Sequence, residues 1–242
     1  MSTAVIISGQ VRTFAQTWHN QYWQVYRKLD DPHFFASVKD DEDASKLDLL
    51  KDRFPGKVHW EAIEQPELPE PPKEAMFHSG YPASTTAQGI LKQLWHFNEA
   101  WGYFNRHRKD VEFKEVLRIR TDLWFHNFQL PATTYNDGFN SRVGATECLS
   151  PWWSRWSGIN DRVAYMGMSA AQAYFTTYTR IPELLELGCP LHPESLMAAS
   201  LEQKKIASRT TLQAWFTTLR KDGKTIAPDP LIVDIADFMA TL

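Results

Sequence analysis

The first quarter of the chain alternates short apolar runs with segments whose apolar residues recur every three to four positions. Residues 3–8 form a continuous apolar run that ends in Gly9, which is typical of a strand buried on both faces. Residues 13–29 show helical spacing, and further apolar runs at 33–38 and 57–63 are separated by another helical pattern. This β-α-β-α-β order predicts an α/β fold with a mostly parallel central sheet flanked by helices.

The chain of 242 residues is long enough for one large core, and no internal repeat divides it. We therefore expect a single domain over residues 1–242. Residues 64–73 hold four prolines among acidic side chains, which indicates a surface loop within that domain. Helices are further predicted from 84 or 85 to 105, 169 to 187, 193 to 203 and 231 to 242.

Composition argues against several classes of protein. The formal net charge of −3 does not suggest a nucleic-acid binder, which usually has a basic face. The two cysteines, Cys148 and Cys189, form neither a disulfide framework nor a metal-binding spacing. We find no leader pattern and no apolar run long enough to cross a bilayer, so a cytoplasmic protein without a membrane span is expected.

Residues 115–125 form a largely apolar run that contains Arg118 and Arg120, with Asp122 near its end. Alternation along a strand would place these three side chains on one face, where burial is costly unless they pair or meet a ligand. Two guanidiniums and a carboxylate suit a phosphorylated ligand with its metal. An internal Arg–Asp ion pair that fixes a loop is the structural alternative.

The segment SGQVRT at 8–13 follows the first predicted strand. Ligands of open α/β sheets bind outside the carboxyl ends of strands, where Gly9 allows a close backbone approach and Arg12 can bind a diphosphate bidentately. A plain strand–helix turn is the alternative. The chain lacks a phosphate-loop motif and a GxGxxG fingerprint, which argues against common kinases, P-loop hydrolases and dinucleotide dehydrogenases.

Three later segments hold further candidates, each with a structural alternative. Asp40 follows the second strand and fits contact with a ribose or base, or the capping of a helix. In GINDR at 158–162, Asn160 fits the orientation of sugar hydroxyls and Asp161 fits a general base, whereas an Asx turn is the alternative. In HPE at 192–194, His192 and Glu194 fit catalysis or acceptor binding, or a helix's first turn.

An aromatic loop at 151–156 contains Trp152, Trp153 and Trp156. Aromatic faces stack on the apolar faces of sugars and also serve protein interfaces. Contact with a carbohydrate, contact with a protein partner and simple packing all remain open for these three side chains.

The order of these blocks resembles a family of bacterial, viral and plant glycosyltransferases linked to capsule and lipopolysaccharide synthesis. The matching blocks are SGQVRTF at 8–14, RIRTD at 118–122, GINDR at 158–162 and HPE at 192–194, and the resemblance spans residues 3–205. It implies the GT-A class, a Rossmann-like sheet that binds a nucleotide-sugar.

By this resemblance, Gly9 and Arg12 line the nucleotide pocket, and Asp122 stands where a metal-binding D-x-D motif ends. Mg²⁺ or Mn²⁺ at Asp122 is therefore expected. Thr121 precedes Asp122 and Arg120 replaces the first acid of that motif, so Arg118 or Arg120 is an alternative means of neutralising the diphosphate. The full set of residues expected to bind the nucleotide-sugar is Ser8, Gly9, Arg12, Asp40, Arg118, Arg120 and Asn160.

The expected reaction is sugar transfer from a nucleotide-sugar to a hydroxyl of a glycan or similar acceptor. Asp161 is the first choice for the base and Glu194 the second, and the acceptor is expected to contact His192 and the aromatic loop. A non-catalytic glycan- or protein-binding module that uses the Trp-rich loop is the main alternative. Phosphoryl or sulfo transfer through Arg12 and Arg118 is a third.

Overall fold

The computed structural model describes residues 2–71, 86–109, 111–136, 139–153, 155, 158–221 and 225–226. The strands are β1 (Ser2–Gly9), β2 (Pro32–Lys39), β3 (Val58–Ile63), β4 (Phe113–Ile119), β5 (Leu123–Gln129), β6 (Thr134–Asn136), β7 (Phe139–Ser141), β8 (Glu147–Leu149), β9 (Val163–Gly167), β10 (Ala207–Arg209), β11 (Gln213–Leu219) and β12 (Thr225–Ile226). The α-helices are α1 (Phe14–Gln24), α2 (Ala87–His107), α3 (Met168–Phe175), α4 (Ile181–Glu186) and α5 (Pro193–Gln203).

A seven-stranded sheet in the order β10-β8-β9-β4-β1-β2-β3 forms the centre of the fold. Strands β4, β1, β2 and β3 are mutually parallel, and β10 is parallel to β8. Strand β9 runs antiparallel to both of its neighbours, β4 and β8. The predicted α/β fold with a mostly parallel central sheet flanked by helices is confirmed.

Strand β1 is buried on both faces, as its continuous apolar run predicts. Ala4 and Ile6 belong to the hydrophobic cluster that includes residues of α2, α3 and α5. Val5 and Ile7 belong to a second cluster that includes residues of α1, β5 and β11. Because successive side chains of a strand point to opposite faces, the sheet separates two cores.

A smaller antiparallel sheet, β12-β11-β5, lies against the second core. Strand β5 begins directly after Asp122, and β11 pairs with β5 along most of its length. The Leu219 N–H donates to the carbonyl of Asp122 over 2.8 Å. This bond brings the end of β11, and Arg220 after it, to the turn that follows β4.

Several helix predictions need correction. The segment after β2 is a 3₁₀ helix at Ala44–Leu50 rather than an α-helix, and α1 ends at Gln24 before a 3₁₀ turn at Tyr26–Lys28. The helix expected over 169–187 is broken into α3, a 3₁₀ turn at Thr177–Arg180 and α4. Pro182 lies in the first turn of α4, and a proline there cannot continue a preceding helix because it has no N–H to donate.

Helix α2 is capped by Thr86, whose side chain accepts from the Gly89 N–H. The helix was predicted to begin at 84 or 85, and these two residues lie outside the described residues. The helix predicted at 231–242 and the last two residues of the loop at 64–73 also lie outside them. No helix within the described ranges is long and apolar enough to cross a membrane. The single domain over 1–242 stays a prediction.

Candidate functional site

A cleft of about 680 Å³ opens at the carboxyl ends of β1 and β4, beside the first turns of α2. Strand β1 pairs with β4 on one side and with β2 on the other. The connection from β1 leads to β2 on one side, whereas β4, which comes later in the chain, pairs with β1 on the other side. The strand order thus reverses at β1, and such a switch point forms a crevice where ligands bind in open α/β sheets. Among the described residues, one carboxylate, that of Asp122, lines the cleft together with five cationic side chains: Arg12, Lys92, Arg118, Arg120 and Arg220.

The loop after β1 forms one wall of the cleft. Gly9 has φ of +87°, in the left-handed region that glycine adopts without steric cost. The buried hydroxyl of Ser8 has no hydrogen-bond partner among the described residues. The Thr121 hydroxyl donates to the carbonyl of Gln10 over 2.8 Å, which joins this loop to the turn after β4.

Arg120 and Asp122 form a bidentate ion pair in that turn. Arg120 Nε lies 2.9 Å from Asp122 Oδ1, and Nη2 lies 2.5 Å from Oδ2. Burial favours the neutral acid, but the charge and hydrogen bonds of Arg120 hold the pKa of Asp122 below its usual range. Strand β4 ends at Ile119, so Arg120 and Asp122 lie beyond it. The prediction that they share one strand face with Arg118 is therefore wrong.

Arg118 is buried, with 2% of its surface exposed. Its guanidinium lies over the ring of Phe97 in α2, with Cζ 4.6 Å from the ring centroid, and Nη1 donates to the carbonyl of Ile119. Its Nε has no hydrogen-bond partner among the described residues. Burial lowers the pKa of Arg118 to about 10, so the side chain remains a cation for which an anionic ligand would be a favourable partner.

The remaining cations come from other parts of the chain. Arg12 follows β1, Lys92 lies in α2 and Arg220 follows β11. Arg220 is exposed at the mouth of the cleft, but partial desolvation of its guanidinium, and then repulsion from Arg120 and Arg12, lowers its pKa. Thr86 and Gly89 bring the positive end of the α2 dipole to the same cleft, and a helix N-terminus favours bound anions.

Sequence reasoning missed Lys92, Gln93 and Arg220. The first two lie in the early turns of a helix that was predicted, but the pattern gave no indication of which sheet edge the helix faces. No local signal marks Arg220, because its place in the cleft depends on the pairing of β11 with β5.

Asp161 lies behind the wall of the cleft. It is 5% exposed, and the Gln93 side chain donates to Oδ2 over 2.7 Å. Arg120 Nη1 is 3.9 Å from the same oxygen, and Arg162 Nε is 3.9 Å from Oδ1. Burial favours the neutral acid, but these arginines hold the pKa of Asp161 below its usual value.

Glu194 and His192 form a buried neutral pair at the start of α5. Glu194 is 3% exposed, and burial together with the charge of Asp161 raises its pKa to about 9. His192 is fully buried, and burial lowers its pKa to about 4. His192 Nε2 and Glu194 Oε2 are 3.4 Å apart. Glu194 therefore does not fit a base at neutral pH, and His192 is not placed where an acceptor could touch it.

Asn160 serves the local backbone instead of a ligand. Its Oδ1 accepts from the backbone N–H groups of Arg162 and Val163 at 2.9 and 3.2 Å, and its Nδ2 donates to the carbonyl of Trp153 over 3.0 Å. The side chain is fully buried. The expected contact with a nucleotide-sugar is replaced by the Asx-turn alternative.

The aromatic loop divides between core and surface. Trp153 is buried, and its indole N–H donates to the carbonyl of Ala214 over 2.9 Å, so it packs the core and is not open to an acceptor. Trp152 is exposed, with its ring centroid 6.0 Å from that of Trp215. Trp156 lies outside the described residues. Asp40 is exposed after β2 and is not among the residues that line the cleft.

The side chains around Asp122 do not fit the expected Mg²⁺ or Mn²⁺. Both oxygens of Asp122 already accept from Arg120, and no group of three or more His, Cys, Asp or Glu that could hold a metal occurs in the described part of the chain. Divalent magnesium and manganese prefer carboxylate, carbonyl and water oxygens. The metal at Asp122 stays a prediction from the resemblance.

No family model matches the chain, and no curated protein matches its sequence. Among solved structures, the chain is similar to the apo form of glycosyltransferase GlyE from Streptococcus pneumoniae TIGR4, with 11% sequence identity and a TM-score of 0.42. The match covers 85% of this chain and 44% of that one, so this chain spans less than half of that protein's length. A likeness of this size carries no argument about activity.

Proposed function

We propose that this protein is a glycosyltransferase that moves a sugar from a nucleotide-sugar to a hydroxyl of a glycan or similar acceptor. The observation that carries the proposal is the cleft at the switch point, where the described lining residues include five cationic side chains and one carboxylate. Its volume of about 680 Å³ falls within the range of small-molecule sites, roughly 300–1,000 Å³. The ligand that this arrangement suits is anionic, as a nucleoside diphosphate is.

The chemistry needs a stabilised leaving group. The acceptor oxygen bonds to the anomeric carbon while the bond from that carbon to the phosphate oxygen breaks, and the electron pair stays on the diphosphate. Fixed cations aimed at this developing charge lower the barrier. Arg12, Arg118 and Arg120 line the cleft at the carboxyl ends of two adjacent strands and would supply that stabilisation.

The acceptor proton needs a base if the configuration inverts. Asp161 is ionised, as a base must be, but it does not line the cleft itself. The Gln93 side chain, which does line the cleft, lies between them and donates to Asp161. Asp122 lines the cleft directly but is held by Arg120. We therefore keep Asp161 as the proposed base, with Gln93 shifting when the acceptor binds.

A thermal-shift screen against UDP-, GDP-, CMP- and dTDP-sugars tests the donor. A ligand at a hundred times its dissociation constant stabilises the folded state by about 2.7 kcal/mol. We expect one donor to raise the melting temperature and to be hydrolysed slowly without an acceptor. Arg12→Gln should weaken this response, whereas Arg209→Gln is the matched control, because Arg209 is exposed and pairs with Glu147 away from the cleft. No stabilisation by any of these donors would contradict the proposal.

Two observations favour a second candidate, a non-catalytic binding module. The only carboxylate among the described cleft residues is engaged by Arg120, and Trp152 offers an exposed aromatic face beside Trp215. Such a module would bind a glycan or a protein without turnover. Calorimetry separates the two: tight glycan binding with no response to any nucleotide-sugar would favour the module.

A further inference from the structure

We propose that arginine side chains hold the donor's diphosphate without a divalent cation, and that Asp122 is the internal counter-anion of Arg120 rather than a metal ligand. This inference rests on the proposed function, because it concerns how the same cleft binds its donor. Three features of the described residues support it: the paired state of Asp122, the buried guanidinium of Arg118 and the spread of cations around the cleft.

The first feature is the geometry of the Arg120–Asp122 pair. Two parallel contacts, at 2.9 and 2.5 Å, join the guanidinium edge to both carboxylate oxygens. A phosphate accepts the same two-point contact from arginine. Asp122 therefore holds Arg120 in the arrangement that a phosphate would use, and a bound diphosphate would take over that edge.

The second feature is the buried guanidinium of Arg118. It lines the cleft and is held between the ring of Phe97 and the carbonyl of Ile119. No carboxylate among the described residues lies within ion-pair distance of it, and its buried Nε lacks a hydrogen-bond acceptor there. A cation kept in this state is costly to the fold, and a phosphate oxygen in the cleft would give it a partner.

The third feature is the balance of charge. The two phosphates of a nucleoside diphosphate sugar each carry a negative charge. The described cleft residues offer five cationic side chains, from the loop after β1, from α2, from the end of β4 and the turn after it, and from the end of β11. A divalent ion at Asp122 would have to displace Arg120 and then remain close to several like charges. Like charges a few ångströms apart repel strongly where water is partly excluded.

Isothermal titration calorimetry with UDP, GDP, dTDP and inorganic pyrophosphate tests the inference on the wild-type chain. Each probe is titrated in EDTA and again in excess Mn²⁺. We expect binding in EDTA with an affinity equal to or higher than that in Mn²⁺. Binding at least tenfold tighter in Mn²⁺ would overturn the inference and leave the transferase proposal intact. No binding of any probe under either condition would contradict both.

Two variants test the assigned roles in EDTA. Asp122→Asn keeps the side-chain shape and removes the charge that competes for Arg120, so we expect it to bind the probe at least as tightly as wild type. A metal-ligand role predicts the opposite, and a tenfold or greater loss would overturn our assignment. Arg120→Lys cannot form the two-point contact, so a loss of about tenfold or more is expected.

Arg209→Lys is the matched control for Arg120→Lys, because it makes the same change at an exposed arginine outside the cleft. It should bind like wild type. Circular dichroism melts check that each variant folds. If Asp122→Asn does not fold, the wild-type titrations with and without Mn²⁺ still decide between the two roles.

Discussion

Arg118 is a buried charge without a carboxylate partner among the described residues, which is unfavourable for folding. It is among the largest fully buried side chains of the described chain, and its charge has the face of an aromatic ring and one carbonyl as neighbours. Replacing buried charges with apolar side chains of similar size is often neutral or stabilising. The proposed contact with a diphosphate would account for a buried charge that packing alone does not explain.

We expect Arg118→Met to raise the free energy of unfolding by about 1 kcal/mol, because methionine fills similar space without a charge to bury. The same variant should lose affinity for nucleoside diphosphates by about tenfold or more, since hydrogen bonds to charged groups contribute about 1.5–3 kcal/mol. Urea unfolding and calorimetry measure the two effects. A variant that is less stable than wild type and binds normally would show that Arg118 serves the fold.

The raised pKa of Glu194 predicts that the stability of the protein depends on pH. Its pKa is about 9 in the folded state against an ordinary value of 4.5, so the folded chain keeps a proton that the unfolded chain releases. The contribution to stability is full below about pH 4.5 and is lost as the pH rises toward 9.

Glu194→Gln cannot ionise and therefore lacks this loss. We expect the difference in unfolding free energy to shift progressively in favour of the variant between pH 5 and pH 9, as measured by urea midpoints. Glu202→Gln is the control, because Glu202 is exposed on the same helix and should follow the wild-type profile. Parallel profiles for Glu194→Gln and wild type would contradict the assignment.

At the scale of elements, the turn before β9 depends on close contact with the start of α5. A Cβ added at Gly158 would lie 2.1 Å from the backbone carbonyl of Glu194, and the Ile159 N–H donates to that carbonyl over 3.1 Å. This contact joins the blocks at 158–162 and 192–194, and it explains why they meet although about thirty residues separate them.

We expect Gly158→Ala to destabilise the protein by about 1–3 kcal/mol, because a backbone contact cannot yield as a flexible side chain does. Gly102→Ala is the matched control. Gly102 lies inside α2, where a Cβ would meet only the end of the Arg106 side chain at 3.3 Å, and alanine should stabilise the helix by about 0.5–1 kcal/mol. Thermal or urea denaturation measures both, and equal effects would contradict the packing argument.

The sequence predicted those elements whose signals are local. The apolar run of β1, the glycine after it and the spacing of α2 depend on neighbouring residues, and Ser8, Gly9, Arg12, Arg118, Arg120 and Asp122 all reach the cleft. Features that depend on tertiary contacts were less accessible. The Asx turn at Asn160 and the packing of Trp153 were left as alternatives, because sequence patterns could not decide between them and contact with a ligand.

At the scale of the whole molecule, charge is unevenly distributed. The chain carries a formal net charge of −3, yet cations dominate the cleft. An anionic ligand would therefore be attracted locally, although the protein is acidic on average. Dissolved ions weaken such attraction within a screening length of about 10 Å at 0.1 M salt.

We expect the stabilisation by a bound nucleoside diphosphate to shrink as NaCl rises from about 0.05 to 0.5 M, but not to vanish. Arg220 is exposed and should be screened, whereas Arg118 is buried and should be screened far less. Thermal shifts at a fixed ligand concentration, referred to the ligand-free protein at each salt concentration, measure this. Stabilisation that is independent of salt would contradict an electrostatic site.

The hydrogen bond from the Leu219 N–H to the Asp122 carbonyl also bears on when the cleft can form during synthesis of the chain. In a nascent chain that has not yet exposed residue 219, the carbonyl of Asp122 would lack this backbone partner, even if β1, α2 and β4 had formed. Ligand binding should therefore be acquired late in translation. Ribosome-bound chains stalled before and after residue 220 has emerged, each tested for nucleoside diphosphate binding, would reveal that delay.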